Sequence, residues 1–94
     1  MTAPFDELEF IAALEQFGGS RQERLAVARQ ARDLYDSGKV NESIDGTMTT
    51  TFLISELSDA PNGSPADRWN WWIGAMNLAY GNFSQFQVRQ WKKK

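Results

Sequence analysis

The sequence predicts an all-α fold: a small single-domain bundle of about four to five helices, with residues 47–57 also open to reading as a strand. Three observations carry this expectation. Ser64-Pro65-Ala66-Asp67 supplies a cap, a first-turn proline and an acid at the third position, the local chemistry that opens a helix. Trp69, Trp72, Ile73, Met76, Ala79 and Tyr80 then recur at helical spacing. Upstream, Ser20-Arg21-Gln22-Glu23 has the capping-box pattern and Gly38 offers a C-terminal stop. The 94 residues suffice for one domain, 1–94, and usage of 41% hydrophobic and 23% charged residues is that of a folded globule.

The elements follow in order. Residues 4–17 read as a first helix, with Thr2 as cap and Pro4 in the first turn. Phe5, Leu8, Ile11 and Ala12 form its expected buried stripe, broadened by Leu14 and Phe17. Gly18-Gly19 stops it, and a second helix is expected over about 21–36, burying Val27, Ala31, Leu34 and Tyr35. In its capping box Ser20 accepts from the Glu23 amide while the glutamate reaches back. The short Gly-Gly-Ser connection makes the pair an antiparallel hairpin over about 4–37.

Thr47 to Asp59 carries two signals. Thr49-Thr50-Thr51 and Ile54 favour a strand by propensity. Met48 with Phe52, and Leu53 with Leu57, sit four apart and favour a helix, as does a length beyond the usual strand. Ala60-Pro61-Asn62-Gly63 makes a turn. The tryptophan-rich helix follows over about 65–80, ending at Gly81. A short C-terminal helix is expected over about 83–94, with Phe83, Phe86 and Trp91 on the core and a lysine tail.

Composition excludes several classes of function. With no cysteine and no histidine there are no disulfides, no thiolate nucleophile, no Ser-His-Asp arrangement and none of the usual zinc sites. The pairs Glu42/Asp45 and Glu56/Asp59 come with no phosphate loop and no metal-binding pattern. No catalytic residue, cofactor or metal ligand is expected. No apolar run is long enough to span a bilayer, and the N-terminus carries acids where a signal peptide carries bases, so the expected location is the cytoplasm.

The charge pattern and the surplus of aromatic residues point to binding. Net charge is −2, arranged in blocks: residues 1–20 hold four acids and no base, and 40–67 hold five acids and no base. Residues 21–39 and 68–94 each hold five bases, the latter with no acid. Such blocks shape association. On the tryptophan helix, Trp71, Ala75 and Leu78 form a second apolar face opposite the expected core face, leaving Asn70, Gly74 and Asn77 as the polar strip. That face is a candidate interface with a protein partner or a second copy. Arg21, Arg29 and Arg32 share about 80° of arc on the second helix and are candidate contacts to an acidic surface.

The segment from Tyr80 to Lys94 resembles the second half of a helix-turn-helix DNA-binding unit: Gly81 closes one helix, and Ser84, Val88 and Trp91 match the spacing of a recognition helix followed by bases. The resemblance implies that Gln85, Gln87 and Arg89 face bases or phosphates while Lys92, Lys93 and Lys94 grip the backbone. The glycine-to-serine gap is one residue longer than usual, and Asn77 stands where such units pack a small alanine. In type, though by no motif, the chain is also similar to the small acidic helical proteins of phages and prophages, anti-CRISPR inhibitors among them. The leading expectation is a non-enzymatic protein that works by protein–protein interaction, of the kind that occludes a nucleic-acid-handling complex. A DNA-binding regulator is the alternative.

Overall fold

A computed structural model describes residues 5–40 and 48–89. Four α-helices account for most of these residues: α1 Glu7–Leu14, α2 Arg21–Ser37, α3 Thr50–Ser58 and α4 Pro65–Tyr80, with 3-10 turns at Glu15–Phe17 and Ser84–Phe86. There is no strand among the described residues, so the chain is a small all-α bundle.

The first helix is shorter than its pattern suggests. Asp6, accepting from the Glu9 amide at 3.1 Å, caps it. Thr2 and Pro4, the expected cap and first-turn proline, lie outside the described residues. Phe5 precedes the helix and so does not share its phase. The buried stripe is set by Phe10 and Leu14, four apart, and Leu8 is left 77% exposed with Ala12 also outside the core. Phe5 instead packs edge-on to Phe10, ring centroids 5.5 Å apart, and against Tyr35 at 5.7 Å.

α2 buries Val27, Ala28, Ala31 and Leu34 and ends at Gly38, whose left-handed φ of 74° lets its N–H bond back to the Tyr35 carbonyl. Its start departs from a closed capping box. Ser20 Oγ accepts from the Glu23 amide at 3.1 Å, but the buried Glu23 carboxylate does not turn back. Its Oε2 accepts from the Ala66 amide at 2.8 Å, placing a carboxylate against the positive end of α4. The Glu23 side chain therefore ties α2 to α4, two helices 43 residues apart in sequence at this contact.

The segment from Met48 to Leu57 is not a strand. Thr49 caps α3, its Oγ1 accepting from the Phe52 amide at 3.0 Å, and Thr50 and Thr51 fall in the first turn. The β-favouring residues thus occupy a cap and helix positions with little packing demand, while Leu53 and Leu57 bury the inward face. Arg68 fixes the end of this helix, donating to the carbonyls of Leu57 (3.0 Å), Ala60 (3.4 Å) and Gly63 (2.8 Å) while its guanidinium lies 4.6 Å from the Phe17 ring centroid.

α4 is the spine. Ser64 and Asp67 close a capping box around Pro65, and Trp69, Trp72, Ile73 and Met76 are buried. Trp69 sits at the centre, 5.3 Å from the Trp72 ring and 6.5 Å from Phe10. The inward stripe stops there. Ala79 and Tyr80, expected in the core, are exposed, since no element among the described residues packs outside the last turn of α4.

The chain then turns at Gly81 and Asn82, both with positive φ (80° and 65°), and runs back along α4. The expected C-terminal helix is absent over residues 83–89. One 3-10 turn is followed by chain that is extended at Gln87 (φ −70°, ψ 147°), and Phe83, Phe86 and Val88 bury themselves on the bundle. Trp91 and the lysine tail lie outside the described residues.

Candidate functional site

The site is built on Trp69-Asn70-Trp71-Trp72, four consecutive residues that a helix points in four directions at about 100° steps. Three of them have an identifiable use within the chain. Trp69 is fully buried, and its Nε1 donates to the Phe86 carbonyl at 2.8 Å. Trp72 is buried, and its Nε1 donates to the Glu56 carboxylate on α3 at 3.1 Å. Asn70 clamps the returning segment: its Nδ2 donates to the Val88 carbonyl at 3.0 Å, and its Oδ1 accepts from the Val88 amide at 2.8 Å. Two turns along, Asn77 Oδ1 accepts from the Phe83 amide at 2.9 Å. The asparagines of the polar strip are therefore the seat of residues 83–88.

Trp71 is the exception. It is 43% exposed and makes no hydrogen bond or close ring pairing among the described residues. Leu78, two turns on, is 90% exposed, and Ala75 between them is exposed as well. The three lie within about 60° of arc. Beside them Gly74 interrupts the helix interior, and a Cβ built on it would meet nothing within 4 Å. A mid-helix glycine costs about 1 kcal/mol relative to alanine, and no contact among the described residues requires one here. The result is a shallow floor, Gly74 and Ala75, between two large apolar side chains, Trp71 partly exposed and Leu78 almost wholly so.

The arginines of α2 divide by use. Arg32 pairs with Asp36 one turn away at 3.2 Å, and the pair is exposed on both sides. Arg24, outside the predicted set, donates to the Gly18 and Gly19 carbonyls at 3.3 and 2.7 Å. Arg21 and Arg29 are exposed and make no hydrogen bond or ion pair among the described residues. In the C-terminal set, Gln85 is exposed, Gln87 half-buried, and Arg89 exposed with Nη2 donating to the Ser84 carbonyl at 3.3 Å. Lys92, Lys93 and Lys94 lie outside the described residues. A recognition helix needs Ser84 to Trp91 in one helical run. Through Arg89 that run is a single turn and extended chain, because Asn70 holds the Val88 backbone on both its polar atoms.

Among the described residues, Glu56 and Asp59 share no site. Glu56 receives the Trp72 indole, Asp59 is the C-terminal residue of the α3 cap, and Glu42 and Asp45 lie outside the described residues. Sequence reasoning missed Asn70, Asn77 and Glu23 as structural ties. Only the position of the two asparagines on one helical face, seven apart, hinted that they share a function.

Compared with known proteins, residues 1–77 match the model of a family described as WNWW domain. The four letters of that description are spelled by Trp69-Asn70-Trp71-Trp72. Searches of curated proteins and of solved structures return no match.

Proposed function

The chain belongs to the WNWW domain family, and from that premise we propose that it is a non-enzymatic binding module that engages a partner protein through Trp71, Ala75 and Leu78. The observation that carries this reading is the division within the motif. Trp69, Asn70 and Trp72 are each held by a hydrogen bond to another part of the chain, whereas Trp71 makes none among the described residues and is 43% exposed beside the almost wholly exposed Leu78. Tryptophan is over-represented among the few residues that dominate protein interfaces, where truncating one costs about 2 kcal/mol or more. The glycine–alanine floor between Trp71 and Leu78 lets another surface come close to the α4 backbone. Absence of histidine and cysteine from the sequence supports the non-enzymatic part. The acid-only block of residues 1–20 suits a partner with a basic surface, which is the form an inhibitor of a nucleic-acid-handling complex would take.

The test is affinity capture from the native host followed by repetition with single variants. Trp71→Ala and Leu78→Ala should each lose the captured protein, by at least about 30-fold in affinity for the tryptophan. Leu8→Ala, at an equally bare leucine on α1, should retain it. Capture that survives Trp71→Ala contradicts the reading. So does duplex DNA binding that weakens steeply with salt and depends on Arg89, which would favour the regulator instead. A dimer in solution that Trp71→Ala dissociates would identify the partner as a second copy.

A further inference from the structure

A second surface, separate from the α4 face, is defined by what the arginines do. Arg24, Arg32 and Arg68 are committed to carbonyls or a carboxylate within the chain. Arg29 has no such partner among the described residues. It instead lines a groove of about 420 Å³ between α2 and the returning C-terminal segment, with Arg89 also in the lining. Leu25, Ala26 and Val88 give the groove its apolar surface, and two glutamine amides complete it. Among the described residues no carboxylate lines it. Arg89 is held in place twice over: its guanidinium bonds the Ser84 carbonyl, and the residue before it is clamped by Asn70. Leu25 is 36% exposed, bare for a leucine at a groove.

We propose that the groove bounded by Arg29 and Arg89 binds an extended acidic peptide segment that carries an apolar side chain. Charge complementarity selects the class. Two guanidiniums with no acid among the described lining residues present a fork geometry matched to carboxylates. The apolar surface beside them, Leu25, Ala26 and Val88, accepts an aliphatic side chain set among the acids. A nucleic-acid backbone fits less well, because it would meet two cations and an apolar floor on a chain whose net charge is −2. The inference stands independently of the α4 face, since no residue is shared between the two.

The experiment uses the full chain and a labelled pentapeptide, Glu-Asp-Leu-Glu-Asp, titrated at low salt and followed by NMR. Saturable binding should shift the Arg29 and Arg89 Nε–H signals and the Leu25 methyls. Affinity should fall about tenfold or more in Arg29→Glu, a variant that removes no bond within the described residues, and again when the peptide's leucine is replaced by serine. Trp71→Ala should bind the peptide as wild type does, so failure here and failure of the α4 reading are distinguishable. No saturation at millimolar peptide, or unchanged affinity in Arg29→Glu, overturns the proposal. Tighter binding of an eight-nucleotide thymidine strand to the same residues assigns the groove to nucleic acid and overturns it as well. So does a concentration-dependent dimer abolished by Leu8→Ala, since the acidic α1 of a second copy would then be the occupant.

Discussion

Asn70 does for Val88 what a neighbouring strand would do, giving one donor and one acceptor to the two polar groups of a single extended residue. Replacing it with alanine leaves the Val88 amide and carbonyl without partners, and the expected loss is about 2–3 kcal/mol in urea unfolding. Aspartate keeps the acceptor and removes the donor, so Asn70→Asp should recover only part of that loss. Glu23 is the other residue whose role is defined by distance in sequence. Its carboxylate caps a helix 43 residues away, and Glu23→Ala should cost about 1–3 kcal/mol by the same measurement, with Glu23→Gln intermediate because an acceptor oxygen remains. Neither role was readable in the sequence. Glu23 looked like the local half of a capping box, and Asn70 looked like a surface residue, because the groups they hold are brought to them only by the packed chain.

At the scale of elements, local signals were readable and non-local ones were not. α4 was recognisable with its ends because Ser64, Pro65 and Asp67 act within one turn and Gly81 closes the helix. α2 was recognisable for the same reason, with Ser20 at one end and Gly38 at the other. α3 was ambiguous because its threonines carry strand propensity into positions where capping, not pairing, decides. The C-terminal segment was misread as a helix because its conformation is imposed by Trp69, Asn70 and Asn77 from α4. The junction of α2 with α4 yields an element-scale prediction. Gly19 combines a φ of 80° with a Cβ position only 2.7 Å from Pro65 Cδ, whereas Gly38 has a φ of 74° and open space. Gly38→Ala should cost about 1 kcal/mol from backbone strain. Gly19→Ala should cost at least about 2 kcal/mol, since the α2–α4 contact must also give way. Thermal melts of the two variants check the ordering.

For the whole molecule, the returning segment is part of the core. Phe83 is fully buried, Phe86 and Val88 nearly so, and the Trp69 indole needs the Phe86 carbonyl. A chain shortened to residues 1–82 should lose cooperative unfolding at 25 °C. A sharp transition within about 5 °C of the full-length midpoint would contradict this. The candidate surface was legible in part: the arc of Trp71, Ala75 and Leu78 followed from helical geometry alone. What could not be read was that Asn70 would be tied to the returning segment and the two indoles to Glu56 and Phe86, because that depends on where residues 56, 86 and 88 end up. The groove at Arg29 and Arg89 was hidden for the same reason, its two cations lying 60 positions apart.

The division within Trp69-Asn70-Trp71-Trp72 is measured most directly by equilibrium unfolding of the four single alanine variants. Trp69→Ala and Trp72→Ala should each lose about 3–5 kcal/mol, and Asn70→Ala about 2–3 kcal/mol. Trp71→Ala should lose no more than about half of what Trp72→Ala loses, because Trp71 keeps 43% of its surface exposed where Trp72 keeps 2%. A Trp71→Ala variant destabilised as much as Trp72→Ala would mean that the fold uses all four residues, and that nothing in the motif is left over for a partner.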